Sequence, residues 1–262
     1  MYAFDFVKPL SVDEAVSALA QEGAQAYSGG QTLLPTMKQR LNAPDTLVSL
    51  TGISALKGVR REGDTLVIGA ATTHGTVAAE AAAHYPGLAA LAGKIGDPAV
   101  RNRGTLGGSV ANNDPSACYP AAVLGSGASV VTNSREIAAD NFFDGMFATV
   151  LEEGEIITAV RFPIPQKSAY AKFVQPASRF ALTGAFVAQY AGGVRVAITG
   201  ASEGGVFRWA EAEAALSDNF SPDALNGLSV PAKGMIGDLH GTPEYRAHLV
   251  GVMTRRAVAA AQ

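Results

Sequence analysis

A single cysteine, Cys118, stands in a chain of 262 residues. An internal disulfide is therefore impossible. So is an iron–sulfur cluster held by this chain alone, because such clusters need several cysteine ligands. Histidine is scarce too: His74, His84, His240 and His248 fall at no metal-ligand spacing, so no metal site is expected. Charged residues make up 16% of the chain and leave a net charge of −3, which excludes the basic field that draws nucleic acid or anionic lipid. No apolar run reaches the roughly 20 residues of a membrane span. Met1–Phe6 lacks a basic segment followed by an apolar one, so a signal peptide is not expected and a cytoplasmic location is. There is no Gly-x-Gly-x-x-Gly after a strand, no P-loop and no Gly-x-Ser-x-Gly elbow. No triad or carboxylate pair stands out, so no catalytic residue is assigned and any chemistry falls to a bound cofactor.

Apolar material and glycine are plentiful: 48% of the chain is hydrophobic and 29 residues are glycine. The chain is organised around Arg103–Pro115, which holds Gly104, Gly107 and Gly108 among the small polar residues Thr105, Ser109 and Asn112. Ser28-Gly29-Gly30-Gln31-Thr32 has the same character far upstream. Glycines let the backbone approach a ligand closely, and successive exposed N–H groups make a concave anion site. Two such loops can close on one diphosphate, or each can be a tight turn. Gly108 is expected to need a backbone that a branched residue cannot take.

Around these loops the periodicity predicts a capped helix from Ser11-Val12-Asp13-Glu14 and a strand at Gln25–Tyr27. A short helix follows from Leu33, and a strand runs over Leu47–Leu50. Leu66–Ala70 reads as a buried strand, Thr72 or Thr73 as a helix cap, and Pro86–Ile95 as a helix. Asp97–Pro115 reads as one long loop. Ala128–Val131 and Ile156–Phe162 read as strands, and the aromatic Phe142–Phe147 loop as core packing. Pro163-Ile164-Pro165 marks a boundary. Beyond it come strands at Tyr170–Val174, Gly184–Tyr190 and Val194–Thr199, a turn at Gly192-Gly193, and helices over Ala210–Leu216 and Pro243–Ala261. This last region is expected to be an antiparallel sheet with helices on one side. Cys118 reads as a small buried residue.

At both glycine loops the chain resembles the FAD-binding medium subunits of the molybdenum hydroxylases, the carbon monoxide dehydrogenase and xanthine dehydrogenase family. Ser28–Pro35 is similar to the first diphosphate loop and Ile95–Pro115 to the second. Phe4–Pro9, Gly154–Ile157 and Val196–Ala201 extend the likeness along the whole chain. The resemblance implies an α+β fold: a two-part FAD-binding domain of the vanillyl-alcohol-oxidase/PCMH type, residues 1–52 and 53–165, and a C-terminal domain of antiparallel sheet with helices, residues 166–262. It implies FAD between the first two parts, with the flavin ring towards the third. Ser28, Gly29, Gly30, Gln31 and Thr32 would meet the diphosphate from one side, and Thr105, Leu106, Gly107, Gly108 and Ser109 from the other. Asn112, Asp114, Ile157 near the adenine, and Lys172 and Phe180 near the flavin complete the implied set. Where several relatives carry an Asp this chain has Cys118, a poor acceptor; either Asp114 or Asn113 compensates or FAD is held less tightly. The implied function is electron transfer from [2Fe-2S] clusters of a small subunit to an external acceptor. A large molybdenum–pterin subunit would oxidise the substrate, in a dimer of heterotrimers. A stand-alone flavin oxidase and a non-catalytic assembly protein are the alternatives.

Overall fold

The computed structural model describes residues 1–261. The chain opens with strand β1 (Asp5–Val7), helix α1 (Val12–Leu19), β2 (Ala24–Tyr27), α2 (Leu33–Lys38) and β3 (Thr46–Ser49). The Ser11 hydroxyl accepts from the Glu14 amide at 3.2 Å and starts α1. Glu14 reaches back one residue further than a capping box asks, taking the Leu10 amide at 2.8 Å. β1 and β2 flank β3, both parallel to it. The first glycine loop leaves the end of β2.

A five-stranded antiparallel sheet follows: β4 (Val59–Glu62), β5 (Thr65–Gly69), β6 (Ser129–Thr132), β7 (Glu136–Ala138) and β8 (Ile157–Pro163), in the order β4-β5-β8-β6-β7. β4 and β7 are edge strands, too short to be read from the sequence: β4 is exposed along most of its length and β7 buries only Ile137. Between β5 and β6 the chain runs through α3 (His74–Glu80), α4 (Pro86–Gly93), α5 (Pro98–Arg101), α6 (Leu106–Asn112) and α7 (Tyr119–Gly125). Thr73, not Thr72, caps α3, while the Thr72 hydroxyl is spent on the Gly58 backbone.

The stretch read as one long loop, Asp97–Pro115, is therefore two short helices joined by a turn. Asp97 Oδ1 accepts from the Val100 amide at 2.9 Å and starts α5; Thr105 Oγ1 accepts from the Gly108 amide at 3.3 Å and starts α6. Glycine disfavours helix, but Leu106 and Val110 sink into the same core as Leu66, Ile68 and Val160, and that burial outweighs local propensity.

The third sheet is antiparallel: β9 (Lys167–Val174), β10 (Ala181–Tyr190), β11 (Gly193–Thr199) and β12 (Phe207–Arg208), in the order β12-β11-β10-β9. Helices α8 (Ala210–Asp218) and α9 (Pro243–Ala260) cover one face. Thr242 caps α9 through the Tyr245 amide, with Pro243 in the first turn. The other face is not free. Tyr170, Phe186, Ala188 and Ala197 pack into the core of the second sheet, against α4 and α7. Alternation along β10 sorts the residues: Ala185 and Val187 face α8 and α9, Phe186 and Ala188 face α4 and α7. The region's own helices thus lie on one side, as expected, and the other face is covered by α4 and α7 of the second region, which are apolar almost all round and need cover on both faces. Among the described residues no helix is long and apolar enough to cross a membrane.

Candidate cofactor groove

The ends of β2 and β5 bring the two glycine stretches together. Ser28 Oγ and Thr105 Oγ1 lie 2.8 Å apart, a direct bond between loops 77 residues apart in sequence. Arg103 Nη2 adds a bond to the Tyr27 hydroxyl at 3.2 Å. The glycines make this approach possible. A Cβ on Gly29 would lie 2.4 Å from the Arg103 carbonyl oxygen, and one on Gly107 would lie 2.5 Å from Ala70 Cβ. Gly108 differs: it is exposed, and its Cβ would point between Thr105 Oγ1 at 2.9 Å and Ser28 Cβ at 3.8 Å. Its φ is not positive, so the expected need for a backbone that only glycine takes is corrected to a need for space.

Between the loops runs a groove of about 680 Å³. Every residue of the implied cofactor-binding set lines it except Leu106, whose side chain is fully buried in the core behind the loop. The two loops offer different groups. The amides of Gly29, Gly30, Gln31 and Thr32 donate to no protein acceptor, and the Thr32 hydroxyl makes no cap bond to α2. In the second stretch the Leu106 and Gly107 amides already donate to the Thr72 and Ala70 carbonyls, at 3.1 and 2.8 Å, and those of Gly108 and Ser109 to Thr105. The first loop is thus a nest of free N–H donors. The second contributes hydroxyls, from Thr105 and Ser109, and an absence of side chains.

One end of the groove is walled by Leu151, Ile156 and Ile157, with Ile157 4% exposed at the start of β8. Glu155 anchors this wall. Arg135 binds both its oxygens, at 2.9 and 2.8 Å, and with help from Thr132 holds its carboxyl down at about 2. At the other end Lys172 Nζ donates to the Lys94 and Arg179 carbonyls, at 2.8 and 2.7 Å, and sits 3.6 Å from Cys118 Sγ. Phe180 stands at the rim, 45% exposed. Cys118 is buried, as read, although its edge reaches the groove. Asn113 cannot stand in for the missing carboxylate: it is 1% exposed and does not line the groove, held in place by its side-chain amide protons on the Gly145 and Ala148 carbonyls. Asp114 remains, half-buried on the groove wall, its carboxyl raised by desolvation and accepting from the Ser116 amide at 2.8 Å.

Sequence reading missed His74 and Phe147. His74 lies under the second loop, 4% exposed, with its Nε2 2.5 Å from where a Gly104 Cβ would stand. Burial, with the Arg101 charge behind it, pulls its pKa down to about 4, so the ring is neutral. No sequence spacing marks it. Phe147 did carry a signal, the aromatic run, but the run splits: Phe142 is fully buried while Phe147 is 61% exposed on the groove.

Comparison with known proteins fits this geometry. Residues 2–165 match a family described as the FAD binding domain in molybdopterin dehydrogenase. The carbon monoxide dehydrogenase medium chain of Hydrogenophaga pseudoflava is 34% identical, across 98% of this chain and 96% of its own. The nicotine 6-hydroxylase medium subunit of Paenarthrobacter nicotinovorans is 33% identical across 98% and 96%. The solved structure of the Hydrogenophaga pseudoflava enzyme, in a form lacking the molybdenum-pyranopterin moiety, superposes with a TM-score of 0.88 at 34% identity, covering 99% of this chain and 97% of that one. This chain belongs to the molybdopterin dehydrogenase family, as an FAD-binding medium-chain flavoprotein subunit.

Proposed function

We propose that this chain holds FAD between the [2Fe-2S] clusters of a small subunit and an external electron acceptor, in a complex whose large subunit carries the molybdenum–pterin cofactor and the substrate. The observation that carries the reading is the pairing of four free amides on Gly29–Thr32 with the wall of Thr105–Ser109, lined by hydroxyls and left open at Gly107 and Gly108. A diphosphate suits such a cradle, since fixed N–H dipoles meet its charge without a desolvated cation. On this reading residues 1–52 and 53–165 are the two halves of the cofactor domain and 166–262 the third domain. Ser28–Thr32 bind the diphosphate from one side. Thr105, Gly107, Gly108 and Ser109 shape the other side, Asn112 and Asp114 face the sugar and chain, Ile157 flanks the adenine, and Lys172 and Phe180 stand by the flavin. When bound, FAD supplies one- and two-electron chemistry.

The ionisable groups of the groove favour electron transfer over a stand-alone oxidase. His74 is buried and neutral, Glu155 is tied to Arg135, and Lys172 is engaged by two carbonyls. None of these three is free to carry a proton to or from a substrate, and Asp114, the other carboxyl on the wall, accepts from the Ser116 amide. Relatives named for carbon monoxide and for nicotine share this chain's full length, which supports a substrate site on another subunit. A dimer of heterotrimers in the cytoplasm completes the reading.

The test is purification of the untagged protein from its own host, with a visible spectrum and metal analysis. Flavin bands, iron–sulfur shoulders, molybdenum and two companion chains are expected. A flavin-bearing chain that oxidises a small substrate with no companions would establish the oxidase instead. A colourless chain that takes up no added FAD would overturn the proposal.

A further inference from the structure

Phe147 sits at φ +56°, a left-handed backbone that bulky residues rarely adopt, and its ring is 61% exposed at the groove. Such a conformation is costly and persists only where the surroundings impose it. The surroundings here are specific. Asn113, 1% exposed and itself at φ +42°, donates its side-chain amide protons to the Gly145 and Ala148 carbonyls, both at 2.8 Å. The Phe147 amide donates to the Asn113 carbonyl at 3.0 Å, and the Asp144 amide to the Ala148 carbonyl at 3.1 Å. The turn after β11 closes the far side, where a Cβ on Gly205 would stand 2.9 Å from the Gly145 carbonyl oxygen. A buried amide thus holds an exposed phenyl ring in a strained pose, and the ring gains no burial of its own in return.

We propose that Phe147 is a wall of the cofactor groove and stacks on the isoalloxazine ring of FAD, a proposal that rests on the FAD reading above. The clamp points to the flavin end. Asn113 continues into Pro115, whose carbonyl accepts from the Gly200 amide at 2.7 Å and the Thr199 hydroxyl at 2.9 Å. The Ser116 carbonyl accepts from the Ala181 amide at 3.4 Å, one residue from Phe180. The clamp is therefore tied to the end of the third sheet that presents Phe180 and Lys172. A fixed aromatic face is suited to a flat heteroaromatic ring, and its rigidity spares ordering entropy on binding.

The experiment uses the full chain, stripped of cofactor, as parent, Phe147→Ala, Phe147→Gly and Phe147→Tyr. Each is titrated with FAD, FMN and ADP and melted without ligand. FAD and FMN should bind about tenfold more weakly to the Ala and Gly variants, as loss of one stacking partner implies. ADP should be unaffected, and Phe147→Tyr should behave as the parent. The ligand-free Gly variant should melt about 2 °C or more above the parent, because the backbone strain is relieved. Unchanged FMN affinity in the Ala and Gly variants would overturn the proposal, as would a loss confined to ADP, which would put the ring at the adenine. A parent chain that binds none of the three would overturn the FAD reading and this inference with it.

Discussion

Gly108→Val separates the groove from the fold. The exposed glycine sits in the first turn of α6, and a Cβ there meets Thr105 Oγ1 at 2.9 Å, with Ser28 Cβ 3.8 Å away. The valine methyls enter the gap between the two loops and push the Thr105 hydroxyl off the Gly108 amide. Loss of that cap costs about 1 kcal/mol. Valine is a better helix former than glycine by about 0.3 kcal/mol. The net cost of under 1 kcal/mol lowers the melting temperature of a chain this long by about 2 °C. Ligand binding should suffer more. Forcing extra methyl groups into a fitted site costs about 1–3 kcal/mol, or roughly 5- to 150-fold in FAD affinity. Gly107→Ala is the opposite case. Its Cβ would lie 2.5 Å from Ala70 Cβ and 2.9 Å from Ala70 Cα, at the end of β5, so the smaller substitution should lower the melting temperature more. The assay is thermal melting of the cofactor-free chains beside FAD titration followed by flavin fluorescence. Full FAD affinity in a folded Gly108→Val chain would refute the placement of the diphosphate between Ser28 and Thr105. A Gly107→Ala chain that melts like the parent would refute the packing reasoning.

Three further outcomes follow from particular residues. His74 is neutral in the fold, with its pKa down at about 4 against an ordinary 6.5. The unfolded chain therefore binds the extra proton first: stability is full above pH 6.5 and falls as pH drops towards 4, and His74→Gln should remove that slope from melting curves taken across the range. Arg246, 1% exposed, donates to the Leu182, Gly200 and Asp238 oxygens at 2.7, 2.6 and 2.7 Å; Arg246→Leu strands the two buried carbonyls, while the exposed Asp238 turns to water, and should cost about 2–4 kcal/mol in denaturant unfolding. Lys172→Met removes the donor shared by the Lys94 and Arg179 carbonyls, and the Arg179 and Phe180 amides should exchange hydrogen faster while those of β10 do not.

The helix caps at Ser11 and Thr242, the strand alternation of β10 and β11, and the glycine-rich character of both loops were legible in the sequence because each depends on neighbours within a turn or a strand period. Composition alone excluded a disulfide and an iron–sulfur cluster held by this chain. Distance decided the rest. That Asp97–Pro115 coils into α6 follows from burying Leu106 and Val110 beneath β5 and β8, which local propensity does not contain; α5 buries no residue and rests on its Asp97 cap. Gly107 and Gly108 look alike in the sequence, yet one makes room for Ala70 and the other opens on the groove. Which amides remain free to meet a ligand depends on carbonyls supplied by Ala70 and Thr72, far up the chain. The same holds for Phe147, a core residue by composition, which is turned outward by a buried Asn113 that no local pattern connects to it. Residue type set what each group can do; only the tertiary structure set which groups were already occupied, because a hydrogen bond or a contact made by the fold is no longer available to a ligand.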